Sequence, residues 1–170
     1  MAKTSKRSAL EFFSTAREWL TAADQLLHIQ GGKPDAVYGW RHPIYFCYFH
    51  SIELALKAFW RSHNPKVEKI HSLTRLYEKC RGKGLVIDAD DRTSIGNIVR
   101  MLDAGNEDSG FRYFVNYKDR VLGTLEWTQE VATRLLQAVQ PHVAETVEYG
   151  VPNPRVVTEL RMFVSKPVKK

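Results

Sequence analysis

The chain has 170 residues, of which 44% are hydrophobic and 26% are charged, and its net charge is +6. This composition and length are typical of one globular domain and argue against a disordered or fibrous protein. The sequence has no apolar run of about 18 residues, and the basic residues 1–7 lead into charged residues instead of the apolar core of a signal peptide. We therefore expect a cytoplasmic protein that does not enter a membrane.

Most of the positive charge lies at the two ends of the sequence. Residues 1–7 and 151–170 contain eight of the 25 basic residues and one of the 19 acidic residues, which leaves 17 basic and 18 acidic residues between them. We interpret residues 8–149 as a single, nearly neutral domain. Residues 1–7 and 150–170 are then basic tails, which serve solubility or contact phosphate groups.

Hydrophobic periodicity predicts helices throughout this domain. The first runs from Ser8 to about His28 and begins with a capping box, Ser8-Ala9-Leu10-Glu11. The second begins at Pro43 and ends near Arg61, since proline suits the first helical turn. Three more helices are expected at about 71–81, from 90 or 91 to 103, and from 125 or 126 to 149, the last kinked or divided at Pro141.

Each predicted helix has one apolar face, so we expect an all-α antiparallel bundle of about five helices. The aromatic segment 111–117 precedes the last helix and predicts a short strand or hairpin, too short to anchor a sheet. The residues expected to face the core are Phe12, Ala16, Trp19, Ala23 and Leu26 in the first helix; Tyr45, Phe49, Ile52, Leu56 and Phe59 in the second; Leu73, Leu76, Tyr77 and Cys80 in the third; Ile95, Ile98, Val99 and Leu102 in the fourth; and Val131, Leu135, Ala138 or Val139, and Val143 in the fifth.

The cysteines and histidines follow no metal-binding pattern. Cys47 and Cys80 belong to no CxxC motif, so we predict two buried free thiols and no disulfide. The six histidines form no close pair on one helix face, so any metal would need ligands from separate elements, and we predict no metal site and no cofactor. Phosphate-binding loops, the GxSxG motif of hydrolases and the HExxH motif of metalloproteases are also absent from the sequence.

One strip of the second predicted helix carries the candidate functional residues. At about 100° per residue, His50, Glu53 and Lys57 fall within about 80° of one another, together with Phe46 and Trp60. Glu53 and Lys57 have the spacing of an ordinary surface ion pair, worth a few tenths of a kcal/mol. Alternatively, the strip is a polar rim against a partner subunit or ligand, where His50 exchanges a proton near neutral pH.

Three further residues have candidate roles in ligand binding. His71 lies at the start of the third predicted helix, where it acts either as a cap or interhelical hydrogen-bond partner or as part of a site. Arg112 and Tyr113 place a guanidinium beside an aromatic ring, which suits phosphate recognition and base stacking. The alternative for Arg112 is an ion pair with an acid such as Asp103 or Asp108.

Two segments carry a resemblance to a known family. They are His50-Ser51-Ile52-Glu53-Leu54-Ala55-Leu56-Lys57-Ala58-Phe59 and His71-Ser72-Leu73-Thr74-Arg75-Leu76. With the helices before and after them, they make residues 8–149 resemble the HEPN superfamily of bacterial and archaeal helical domains. The resemblance implies a homodimeric helical bundle from a toxin–antitoxin, defence or RNA-processing system, with a protein partner such as an antitoxin or a nucleotidyltransferase.

Many members of that superfamily are metal-independent endoribonucleases with an arginine and a histidine separated by four to six residues. This sequence departs from the motif, because seven residues separate Arg134 from His142 and the shorter Lys66–His71 spacing has lysine in place of arginine. The family's catalytic assignment therefore does not carry over.

Three functions stay open from the sequence. The first is a non-catalytic HEPN-like module that binds RNA, a nucleotide or a protein. The second is a divergent metal-independent endoribonuclease, in which His50 or His71 transfers protons and Arg112 or Lys57 stabilises negative charge. The third is a structural or scaffolding dimer. The candidate ligand-binding residues are His50, Glu53, Lys57, His71, Arg112 and Tyr113.

Overall fold

The computed structural model describes residues 8–31, 41–64, 69–87, 92–106, 111 and 124–144. Within these ranges the chain is all-helical and contains no strand, so the predicted all-α bundle of about five helices is confirmed. The helices are α1 (Ala9–Gly31), α2 (Arg41–His63), α3 (Leu73–Gly82), α4 (Arg92–Gly105) and α5 (Leu125–Ala144). None of these helices combines the length and the apolarity needed to cross a membrane.

Several predictions concern residues outside the described ranges. Both basic tails lie there, as do residues 90 and 91, the alternative starts predicted for the fourth helix, and most of the predicted hairpin. Phe111, the first residue of the hairpin segment, is helical and buried.

The helix ends follow local sequence signals. The predicted capping box is confirmed, because Ser8 Oγ accepts from the Glu11 N–H at 3.1 Å and the Glu11 carboxylate accepts from the Ser8 N–H at 2.5 Å. The second helix begins at Arg41 rather than Pro43, since N–H groups of the first turn need no helical acceptor and proline is tolerated there. Pro141 lies inside α5 and does not divide it.

The second helix is the centre of the bundle and contacts each of the other four helices. From Ile44 to Phe59, every residue except Phe46 and His50 is buried. The core residues predicted for α2, α3 and α4 are all buried, as are Val131, Leu135, Val139 and Val143 of α5. In α1, Trp19 and Leu26 are only partly buried against this core.

The predicted buried thiols are also confirmed. Cys47 and Cys80 are free and buried, and Cys80 Sγ donates a hydrogen bond to the Leu56 carbonyl at 3.3 Å. Burial raises the pKa of Cys47, and it raises the pKa of Cys80 to about 12. Both side chains are therefore protonated and unreactive at neutral pH.

The carboxylate of Asp103 fastens α4 to the start of α3. It accepts hydrogen bonds from Ser72 Oγ at 2.7 Å, the Leu73 N–H at 2.8 Å and the Thr74 N–H at 3.1 Å. The N–H groups of Leu73 and Thr74 are among those that a helix leaves without internal acceptors, and an anion at this end is favourable. Asp103 thereby holds the residue before Ser72, His71, at a defined position. Arg112, its alternative partner, lies outside the described residues.

We expect Asp103→Ala to lower the free energy of unfolding by about 2 kcal/mol, because it removes charge-assisted hydrogen bonds and leaves N–H groups of α3 unpaired. Urea unfolding followed by circular dichroism measures the change. The matched control is Glu78→Ala on the exposed side of α3, which should stay within about 0.5 kcal/mol of the wild type. Equal losses in both variants would contradict this role of Asp103.

Candidate functional site

Four of the six predicted ligand-binding residues lie together around one carboxylate. Oε1 of Glu53 accepts from Lys57 Nζ at 2.7 Å and from His71 Nδ1 at 2.9 Å, and Oε2 accepts from His50 Nδ1 at 3.2 Å. We call these four residues the Glu53 cluster. The helical spacing of α2 aligns His50, Glu53 and Lys57, and the segment just before α3 supplies His71. The other two predicted residues, Arg112 and Tyr113, lie outside the described ranges.

The Glu53 cluster extends from the interior to the surface. The side chains of Glu53 and Lys57 are 5% and 10% exposed, that of His50 is 26% exposed and that of His71 is 79% exposed. The interpretation of Glu53 and Lys57 as a surface ion pair is therefore wrong. Neighbours cover Glu53 and Lys57 because α2 is the central helix, whereas the other residues of the strip, Phe46, His50 and Trp60, are partly exposed.

Glu53 is ionised at neutral pH. Burial raises the pKa of its carboxyl group, but hydrogen bonds from His50, Lys57 and His71, together with the charge of Lys57, lower it to about 2. An ionised carboxylate only accepts hydrogen bonds, so the Nδ1 atoms of both histidines are donors. In the neutral form of either ring, the lone pair then lies on Nε2.

Aromatic side chains border the Glu53 cluster along α2. Trp19 of α1 packs edge-on against His50 at a ring-centroid distance of 5.0 Å, and Phe46 stacks on the same imidazole at 5.9 Å. Trp19 and Phe46 also contact each other, with their ring centroids 5.8 Å apart. Further along α2, Lys79 Nζ of α3 lies 5.1 Å from the centroid of Trp60. The predicted strip of α2 thus combines aromatic rings and basic groups with one acid, Glu53, and its ends contact α1 and α3.

Trp19 and Lys79 were not predicted to be part of this site. The periodicity of the first helix assigned Trp19 only to the core, and nothing in the local sequence of Lys79 indicates that it reaches Trp60. Partial burial of Trp19 beside a histidine is a tertiary feature. For Trp19, the one available signal in the sequence was the residue type, since tryptophan is often found at binding surfaces.

The cluster has the donor types that bind metals, but not their arrangement. Within the described ranges, no group of three or more histidine, cysteine, aspartate or glutamate side chains is positioned to hold a metal ion. Both histidines direct Nδ1 at Glu53, and the Lys57 ammonium already contacts Oε1. The chemistry that the cluster can perform is hydrogen bonding and proton transfer.

No family model, curated protein or solved structure matches this chain. The resemblance to the HEPN superfamily therefore depends on the two segments quoted above, from His50 to Phe59 and from His71 to Leu76. These segments also supply all four residues of the Glu53 cluster.

Proposed function

We propose that this protein is a HEPN-like helical domain that binds single-stranded RNA without cleaving it. The observation that carries the proposal is the line of partly exposed rings along α2, formed by Phe46, His50 and Trp60. Two basic side chains, those of His71 and Lys79, lie beside this line. Single-stranded nucleic acids bind to aromatic rings that stack on bases and to cations that contact phosphates. A homodimer and an antitoxin or nucleotidyltransferase partner stay predictions of the family resemblance.

His71 is the residue of the Glu53 cluster best placed to contact RNA. Its side chain is 79% exposed, and its Nδ1 is bound to Glu53, so the ring is oriented with Nε2 available to a ligand. When protonated, Nε2 donates to a phosphate oxygen, and when neutral it accepts from a ribose hydroxyl group. Glu53 neutralises Lys57, so an anionic ligand depends on the histidines and on the more exposed cations nearby.

We expect His71→Ala to weaken binding of a fluorescently labelled single-stranded RNA about tenfold, which corresponds to the loss of one charge-assisted hydrogen bond of about 1.4 kcal/mol. Fluorescence anisotropy at constant ionic strength measures the dissociation constant, because RNA affinity depends strongly on salt. The matched control is His28→Ala, which removes an exposed histidine of α1 and should leave the affinity unchanged. Equal affinities for the wild type and His71→Ala would contradict the proposal.

A metal-independent endoribonuclease is a second candidate, favoured by the orientation of the two imidazoles. In their neutral forms, His50 and His71 both have a proton acceptor at Nε2, and RNA cleavage without a metal needs such a group to remove the ribose 2′-hydroxyl proton. The 2′ oxygen then attacks phosphorus, the bond to the 5′ oxygen breaks, and that oxygen takes up a proton.

Incubation of the protein with an RNA pool in EDTA distinguishes the two candidates. Intact RNA, under conditions where anisotropy shows binding, supports the non-catalytic module. Cleavage by the wild type that disappears in an identically purified His50→Ala/His71→Ala variant would replace it with the nuclease. Cleavage that is equal in both preparations would indicate a contaminating enzyme.

A further inference from the structure

The charges of the Glu53 cluster cancel when both of its imidazoles are neutral. The carboxylate of Glu53 and the ammonium of Lys57 lie 2.7 Å apart, and both side chains are buried. These two groups have single charges of opposite sign, so together they offer no net positive charge to an anionic ligand. Any net positive charge in the cluster therefore comes from protonation of His50 or His71.

His71 is the histidine of the cluster that is most open to solvent. Its side chain is 79% exposed, whereas His50 is largely covered and its ring packs against Trp19 and Phe46. Because Nδ1 of His71 donates to Glu53 Oε1 at 2.9 Å, Nε2 is the ring nitrogen that gains or loses a proton. Imidazole is the side chain that ordinarily changes its charge between pH 5 and pH 8.

The other charges around His71 stay constant in this pH range. Besides His50, the charged residues that share its hydrogen-bond network or its segment of the chain are Glu53 and Lys57 of α2, Asp103 of α4, and Lys69 and Arg75. Carboxylates, ammonium groups and guanidinium groups ordinarily keep their charge between pH 5.5 and pH 8.5. The Glu53 carboxylate therefore orients the imidazole of His71 throughout the range, while the charge of that imidazole changes.

We propose that RNA binding at the Glu53 cluster takes up a proton from solvent at Nε2 of His71, so that RNA binds more tightly at mildly acidic pH than at alkaline pH. This inference rests on the proposed binding of single-stranded RNA. The imidazolium form can donate a charge-assisted hydrogen bond from Nε2 to a phosphate oxygen, whereas the neutral form has no proton there to donate. A ligand that binds the protonated form more tightly also increases the population of that form.

Fluorescence anisotropy with a single-stranded oligouridine at pH 5.5 and pH 8.5 tests this coupling. Uracil gains no proton in this range, and the oligonucleotide is made without a terminal phosphate and with a label whose emission does not depend on pH. At constant ionic strength, the dissociation constant of the wild type should rise about tenfold from pH 5.5 to pH 8.5 because one charge-assisted hydrogen bond is lost. His28→Ala removes an exposed histidine of α1 and should show the same rise.

Two substitutions of His71 separate its charge from its hydrogen bond to Glu53. His71→Gln keeps a donor for Glu53 but is never charged, so it should bind weakly, with less than about a twofold change between the two pH values. His71→Lys is charged throughout, so it should bind about equally at both. Because His71 is exposed and precedes α3, neither change should unfold the bundle. A tenfold pH dependence that persists in His71→Gln would place the proton on another group and overturn the proposal.

Calorimetry in two buffers of different ionisation enthalpy counts the protons directly. At pH 7 the wild type should take up about half a proton per bound RNA, since an imidazole is already partly protonated before binding, and His71→Gln should take up almost none. RNA binding with equal affinity at both pH values and no proton uptake would overturn this inference alone. No binding by the wild type at either pH would overturn the proposed function as well.

Discussion

Glu53→Gln is expected to lower the free energy of unfolding by about 3 to 5 kcal/mol, because it leaves the buried Lys57 ammonium without its counter-charge. Lys57 Nζ lies 2.7 Å from Glu53 Oε1, and the two side chains are only 10% and 5% exposed. Glutamine has nearly the volume of glutamate, so the loss would not come from a cavity. Urea unfolding followed by circular dichroism measures the change.

A double-mutant cycle separates the ion pair from other effects of the substitution. Replacing both partners, in Glu53→Gln/Lys57→Met, removes the unpaired charge and should recover part of the stability lost in Glu53→Gln. The exposed pair of Glu130 and Arg134 in α5 has the same sequence spacing and the same 2.7 Å distance, so Glu130→Gln is a matched control. It should cost less than about 1 kcal/mol. The cycle also needs the single variant Lys57→Met. If the stability losses of the two single variants add up to that of the double variant, the result would contradict a coupled, buried ion pair.

The helices and their inward faces could be predicted because both depend on short spacings. Apolar residues recur every three or four positions, as in Leu73, Leu76, Tyr77 and Cys80, and such a pattern requires one buried face wherever the helix packs. The capping box at Ser8 and Glu11 is likewise a local signal, and it is present in the structure.

The Glu53 cluster could be predicted only in part. Helical spacing places His50, Glu53 and Lys57 on one strip, but their burial depends on α2 lying at the centre of the bundle. The bond from His71 to Glu53 joins residues 18 positions apart, so helical spacing did not predict it.

Low pH is expected to destabilise the bundle because it protonates the carboxylate of Glu53. The pKa of Glu53 is lowered from 4.5 to about 2 in the folded chain, so its contribution is complete above pH 4.5 and is lost as the pH falls towards 2. A shift of this size, at about 1.4 kcal/mol per pKa unit, corresponds to about 3 kcal/mol. The cause is the set of three donors, His50, Lys57 and His71, which bind the ionised form more strongly than the protonated form.

The Glu53→Gln/Lys57→Met variant isolates this contribution from those of other carboxylates. It has no titrating group at position 53, so its stability should fall less than that of the wild type between pH 6 and pH 2.5, by a margin of about 2.5 kcal/mol. Glu130→Gln, which removes an exposed carboxylate, should follow the wild type across the whole range. A wild type and double variant that lose stability in parallel would mean that Glu53 titrates alike in the folded and unfolded chains. The hydrogen bonds of the three donors and the charge of Lys57 would then only offset the cost of burying the carboxylate, and they would not stabilise the folded chain.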